Sequence, residues 1–241
     1  MKNNHDLLQN HLEFLSTHRA TVQPDSTSEH WMVKSQKKEF TFVFVGPSSL
    51  GNLANDYQTF YRTPWAGNVT SDWLKQNKKH THSISYMVLN PKRFYIPLAK
   101  SQVVIEKESS LSHLEEFSLV QAKGFCSTPE VFNEWYPWMR KFNMANLHNA
   151  TQTFYVAKKN DIPSGVALTV RSERTLGIYA VTTLPDSRKQ GISTAILQDI
   201  VASSENNVQE IITLQVLKGS YAEGLYKKLG FKTVFEVEVF S

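Results

Sequence analysis

The eighteen residues Ala180–Leu197, AVTTLPDSRKQGISTAIL, join an apolar, strand-like run to a helical pattern through a basic turn holding one glycine. The strand TLGIYAVTT ends near Thr183, LPDS carries the chain across, and a helix begins between Arg188 and Gly191. Ile192, Ile196 and Ile200 recur at spacing four and give that helix a buried face. Its first turn leaves backbone N–H groups without intrahelical acceptors, and such an end attracts anions. Gly191 lets a ligand approach the backbone closely, and Arg188 and Lys189 add positive charge, so the turn suits a pyrophosphate better than a neutral ligand. No G-x-x-x-x-G-K-[ST] occurs and no G-x-G-x-x-G follows the strand, which argues against a nucleoside triphosphatase and a dinucleotide fold. Spacing alone leaves both an anion site and a plain strand–helix connection open.

Outward from this turn the pattern is regular. Upstream, QVVIEKE reads as a strand and LSHLEEFSLVQAKGF as a helix, with Ser112 and Glu115 spaced as a capping box. A second helix starts with Thr128 as N-cap and Pro129 at its first position, and Pro137 is expected to kink or end it. QTFYVAKK, SGVALTVRS and TLGIYAVTT read as three antiparallel strands, the first two joined at Asn160-Asp161. Downstream come EIITLQV as a strand, SYAEGLYKKL as a short helix and KTVFEVEVF as a last strand. The order β-α-α-β-β-β-α-β-α-β is a mixed α/β layer fold. Nearer the N-terminus, a helix carries Leu7, Leu8, Leu12 and Leu15 on one side, FTFVFV and ISYMVL read as buried strands, and FYIPL as an edge strand.

The 241 residues allow one large or two small domains, and 41% apolar content supports a packed core. Charge divides the chain. Residues 1–102 carry 12 Lys/Arg against 7 Asp/Glu, whereas residues 103–241 carry 14 against 15. The basic clusters KSQKK and KQNKKH are short and lie in no nucleic-acid motif, so they read as solvated loops. No run reaches the ~18 apolar residues of a membrane helix, and no secretory signal is visible. A single cysteine, Cys126, makes the cytoplasm the simpler expectation and reads as a small core filler rather than a nucleophile. His80 and His82 have no third ligand in view and read as a surface pair, so no metal is expected. Trp135, Tyr136 and Trp138 read first as packing residues.

The quoted stretch resembles the cofactor-binding motif of the GNAT superfamily of N-acetyltransferases, a strand followed by [Q/R]-x-x-G-x-[G/A] and a helix. Arg188, Gly191 and Ser193 take the three marked positions, with Ser193 where Gly or Ala is usual. GSYAEGLYKKLGFK resembles the family's N-x-x-A-x-x-L-Y-x-x-x-G-F segment through Ala222, Leu225, Tyr226, Gly230 and Phe231, with Gly219 in place of Asn. The resemblance covers residues 103–241 and implies a GNAT N-acetyltransferase domain there. Residues 1–102 form an N-terminal α/β region whose strands permit a degenerate GNAT-like half.

For chemistry, the resemblance implies acetyl-CoA as cosubstrate and an amine of a small molecule or peptide as acceptor, attacking in a ternary complex. It assigns the pantetheine arm to the backbone of Val181, Thr182 and Thr183. The pyrophosphate falls to the amides of Arg188, Lys189, Gln190, Gly191, Ile192, Ser193 and Thr194. Tyr226 takes the place of the general acid. Many relatives carry a Glu near the position of Gln215, which cannot accept a proton, so the base is left among Glu173, an N-terminal residue and a water chain. A monomer or homodimer is expected. Gln215, Gly219 and Ser193 also suit an acyl-CoA-binding sensor or structural module without turnover.

Overall fold

Alternating side chains set the two faces of each sheet. In the computed structural model, residues 2–27, 29–90, 94, 103–107, 110–204 and 211–241 are described. They form two compact units, one of residues 1–88 with 214–241, the other of residues 89–213. The expected division between residues 102 and 103 falls at the edge of a stretch outside the described residues, as do most of FYIPL and the ends of QVVIEKE.

In the first unit the chain runs α1 (Lys2–His18), β1 (Thr21–Pro24), β2 (Trp31–Lys34), β3 (Phe42–Val45), α2 (Leu53–Asp56), β4 (Phe60–Arg62), α3 (Asn68–Asn77) and β5 (His80–Leu89). The strands of FTFVFV and ISYMVL are therefore β3 and β5. Val43 and Val45 pack with Leu50, Tyr57, Phe60 and Leu74 under α2 and α3. Phe42 and Phe44, one residue out of phase, join an aromatic layer in which Phe42 stacks on Tyr61 at 4.0 Å and Phe44 meets His11 of α1 at 5.8 Å. Leu7, Leu8, Leu12 and Leu15 of α1 are all buried, as their spacing predicts. β3 and β4 are parallel, while β1–β2 and β2–β3 are antiparallel, so this sheet is mixed. The C-terminal strand β11 (Lys232–Phe240) is antiparallel to both β4 and β5. Arg62 of β4 and Glu238 of β11 form an ion pair across that junction.

The second unit holds β6 (Val103–Glu106), α4 (Leu111–Phe125), α5 (Pro129–Ala145), β7 (Gln152–Lys159), β8 (Ile162–Ser172), β9 (Thr175–Thr183) and α6 (Ile192–Ser204). Strands β6 to β9 form an antiparallel meander. Asn160 and Asp161 both have positive φ (51° and 61°), the signature of the two-residue turn that matches strand twist. Thr128 caps α5, accepting from the Val131 amide. The cap of α4 is Ser110, which accepts from the His113 amide, not Ser112. Glu115 instead pairs with Arg140 and accepts from the Tyr136 hydroxyl, tying α4 to α5. Pro137 does not end α5, which continues to Ala145 with Trp138, Met139 and Asn143 buried. That burial, with Asn143 Nδ2 donating to Ser118 and Gln121 of α4, outweighs the one amide Pro137 lacks.

β10 (Ile211–Leu217) spans the boundary between the units, and α7 (Tyr221–Lys228) precedes β11. The chain order β1-β2-β3-α2-β4-α3-β5 thus recurs as β7-β8-β9-α6-β10-α7-β11. The two series differ most at α2, whose four residues replace the thirteen of α6.

Candidate active site

The end of β9 and the start of α6 make a cradle. Its first component is a bulge. Val166 pairs with Thr182 and Leu168 with Tyr179, so Ala180 and Val181 together face the single residue Ala167. Ala180 sits at φ 53°, a left-handed conformation that costs an L-residue roughly 1–2 kcal/mol. A bulge leaves its extra residue out of the ladder and re-aims the backbone, and strain of this kind gathers at ligand clamps.

The second component is a row of free amides. Between β9 and α6 the loop holds Lys189 at φ 62° and Gly191 at φ 81°. The first bond of α6 runs from the Ala195 amide to the Gly191 carbonyl at 2.9 Å. The amides of Lys189, Gln190, Gly191, Ile192, Ser193 and Thr194 have no protein acceptor among the described residues. A Cβ placed on Gly191 would meet nothing within 4 Å, so the space beside this residue is open.

Side chains hold the loop in shape. Arg188 Nε donates to the Thr183 carbonyl at 3.2 Å, and Gln190 Nε2 to the Asp186 carbonyl at 2.9 Å. Lys159 Nζ donates to Gln190 Oε1 at 2.5 Å. Thr183 and Ser193 join hydroxyls at 2.7 Å, and Ile192 is buried. Arg188 and Gln190 therefore act first on the loop itself, and the donors left over are the amides. Thr182 points the other way: its Cγ2 would lie 1.8 Å from a Cβ at Gly124 of α4, and its buried hydroxyl has no hydrogen-bond partner. On the α6 side, a Cβ at Gly165 would lie 2.5 Å from Ile192 Cγ2 and 2.9 Å from the Thr182 carbonyl. Two glycines thus admit α4 and α6 to within backbone distance of the bulged strand end.

Sequence reasoning missed Ala180, Gly124 and Gly165. A glycine inside a strand pattern is a signal for close backbone approach, and Gly165 carried it. The bulge had no signal, because it is a property of register against β8.

Tyr226 lies on α7, buried, with its ring edge-on to Phe231 at 5.7 Å. Its hydroxyl makes no hydrogen bond among the described residues, and burial pushes it up to about 12, so the proton is held at neutral pH. Ser220 caps α7 by accepting from the Glu223 amide, and Glu223 accepts from the Gly219 amide at 2.9 Å and the Ser85 hydroxyl at 2.8 Å. The Gly219 amide, Ser85 and Lys227 hold the Glu223 carboxyl down to about 2, so it is no base. Glu173 is set aside by position: it occupies the β8–β9 turn, eight residues along the strand from Val181, or about 26 Å at 3.3 Å per residue. Gln215, on β10, keeps a buried Nε2 without a partner. His80 and His82 bond Ser83 and Thr81, and the described residues contain no cluster of three metal-ligating groups.

A family profile described as "Acetyltransferase (GNAT) domain" matches residues 119–241, just over half of the chain. The chain belongs to the GNAT acetyltransferase family. Solved structures share the GNAT fold across nearly its whole length. A functionally unknown conserved protein from Staphylococcus epidermidis aligns at TM-score 0.71 and 12% identity, covering 95% of this chain and 96% of that one. A GCN5-related N-acetyltransferase from Kribbella flavida aligns at TM-score 0.63 and 10% identity, covering 97% and 94%. A tandem GNAT protein from the clavulanic acid biosynthesis pathway aligns at TM-score 0.55 and 9% identity, covering 78% and 65%. No curated protein matches the sequence at a significant level. The GNAT profile takes in the bulge, the amide row and Tyr226, and the whole-chain alignments extend to the residues before 119. No helix among the described residues is long and apolar enough to cross a membrane.

Proposed function

We propose that this chain transfers an acetyl group from acetyl-CoA to an amine of a small molecule or peptide, using residues 103–241 as its catalytic domain and residues 1–102 as a degenerate GNAT-like half. The observation that carries the reading is the strained bulge at Ala180 ending in a row of six amides. Acetyl-CoA supplies an activated thioester: the amine nitrogen bonds the carbonyl carbon as the C–S bond breaks.

The chain's own groups then have distinct tasks. Amides of Lys189 to Thr194 hold the pyrophosphate, and the backbone of Val181 to Thr183 carries the pantetheine arm. An amide freed at the bulge faces the carbonyl oxygen where negative charge develops, and is in place before it does so. Tyr226 gives its phenolic proton to the departing thiolate. The proton lost by the amine goes to a residue of the N-terminal region or to a water chain, since Gln215 cannot take it and Glu223 and Glu173 are committed or remote.

A second reading has support from that last point. With Gln215 unable to act as base and Glu173 and Glu223 set aside, the fold would also serve as a CoA-binding module without turnover. Thiol release from acetyl-CoA across a panel of amines and peptides separates the two. Release above background is expected, falling about 10²–10⁴-fold in Tyr226→Phe with CoA affinity unchanged. Tight CoA binding with no release for any acceptor would establish the binding module instead.

A further inference from the structure

The first unit contains a cavity of about 500 Å³ that the acetyl-transfer reading does not use. It lies between α1, the end of β3 and the segments leading into β2 and out of β4, wholly within residues 5–65. That volume falls in the range of small-molecule sites. Its lining has a definite chemistry. Trp31, Phe44 and Trp65 supply aromatic surface, and Leu8, Leu12 and Val45 close the apolar floor. Asp6 (half-buried) and Glu29 (exposed) also line it, and neither carboxyl group has an ion-pair partner among the described residues. Among the described residues no lysine or arginine lines it.

The wall is built rather than incidental. Gly46 brings strand end and loop together so closely that a Cβ there would stand 1.8 Å from the Glu29 carbonyl. The buried His30 ring accepts from the Gly46 amide at 2.9 Å, and the Glu29 amide donates to Asp25 at 3.1 Å, which fixes the backbone that carries Glu29. Thr63 donates to the Val45 carbonyl at 2.6 Å, so its hydroxyl is spent on the wall. At the mouth the His5 ring lies over Trp65, centroids 4.7 Å apart.

Aromatic faces attract cations, unpaired carboxyl groups select them, and a described lining without lysine or arginine offers an anion no permanent positive charge. We propose that this cavity is a binding site for an organic ammonium with an apolar body, held by Asp6 and Glu29 and walled by Trp31, Phe44 and Trp65. The proposal stands apart from acetyl transfer.

Calorimetric titration of the full chain tests it. The probes are phenethylammonium, tryptammonium and tetraethylammonium, with 2-phenylethanol and phenylacetate as neutral and anionic counterparts of the first. At least one cation is expected to bind saturably, and phenethylammonium about tenfold more tightly than either counterpart. Asp6→Asn with Glu29→Gln should abolish that preference, while CoA affinity and melting temperature stay at the parent's values. Each single variant should lose about threefold, and carries the same test if the double variant does not fold. Equal affinity for cation and neutral counterpart, no saturable binding of any cation, or full cation affinity in the carboxamide variants would overturn the proposal.

Discussion

Gly165→Ala adds one methyl group where β8 passes under the cradle. Its position is fixed by the pairing of Gly165 with Thr183. The new carbon would stand 2.5 Å from Ile192 Cγ2, 2.9 Å from the Thr182 carbonyl oxygen and 3.5 Å from Ile196 Cδ1. The isoleucine can rotate. The carbonyl cannot, because Thr182 is pinned opposite Val166 just beyond the bulge. Overpacking of this kind costs about 1–3 kcal/mol, and the stiffer unfolded chain offsets about 0.4–1 kcal/mol of it. The net loss is at most about 2.6 kcal/mol, a fall in Tm of up to roughly 10 °C for a chain of this length. Ile192 opens α6 and Thr182 ends the bulge, so the same methyl should weaken CoA binding about tenfold. Gly51→Ala is the control: Gly51 has φ 51° and no atom within 4 Å of an added Cβ, so it should cost about 1 kcal/mol of stability and leave CoA affinity alone. Scanning calorimetry and CoA titration read both effects. A Gly165→Ala protein with the parent's Tm and CoA affinity, or equal CoA losses in the two variants, refutes the close-packing argument.

Other outcomes follow from single contacts. Glu223 is held near 2 from an ordinary 4.5, so its contribution is complete above the ordinary value and is lost as pH falls from about 4.5 to about 2. Glu223→Gln should therefore lower stability at pH 7 by on the order of 2 kcal/mol, with the gap closing by pH 2; a gap independent of pH in denaturant titrations contradicts this. Ser193→Trp sets a bulky ring beside the amides and should cut CoA affinity more than tenfold; unchanged affinity would place the cradle elsewhere. Asp161→Gly relieves a left-handed L-residue in the β7–β8 turn and should raise Tm by about 1–2 °C, read by thermal melting.

Much of the second unit was legible because its signals are local. Asn160-Asp161 announces its own turn, Thr128-Pro129 its own helix start, and the alternation of β7 to β9 their pairing as neighbours. Two helix expectations were modified by tertiary contacts. Ser110 rather than Ser112 caps α4, and the residue expected to close the box, Glu115, is drawn to Arg140 of α5. Pro137 is carried through by the buried face around it. At the candidate site, Gly191 and the amides were legible, but the inward tasks of Arg188 and Gln190 were not, since their acceptors are loop carbonyls whose positions depend on the fold.

By itself the sequence determined most elements after residue 103, the turn that exposes six amides and the tyrosine motif on α7, because each is specified by residues within a few positions of one another, whereas β1, β2, α2, β4 and α3 of the first unit were not legible from such local signals. Tertiary structure decided what depends on distant partners. The bulge at Ala180 exists only in register with Ala167. The last strand, β11, lies between β4 and β5, more than 140 residues earlier in the chain. The aromatic and acidic cavity assembles from α1, β2, β3 and the segment after β4. Backbone hydrogen bonds and apolar side chains are nearly interchangeable between strands of similar composition, so which strands meet, and with what offset, is settled only when the whole core packs.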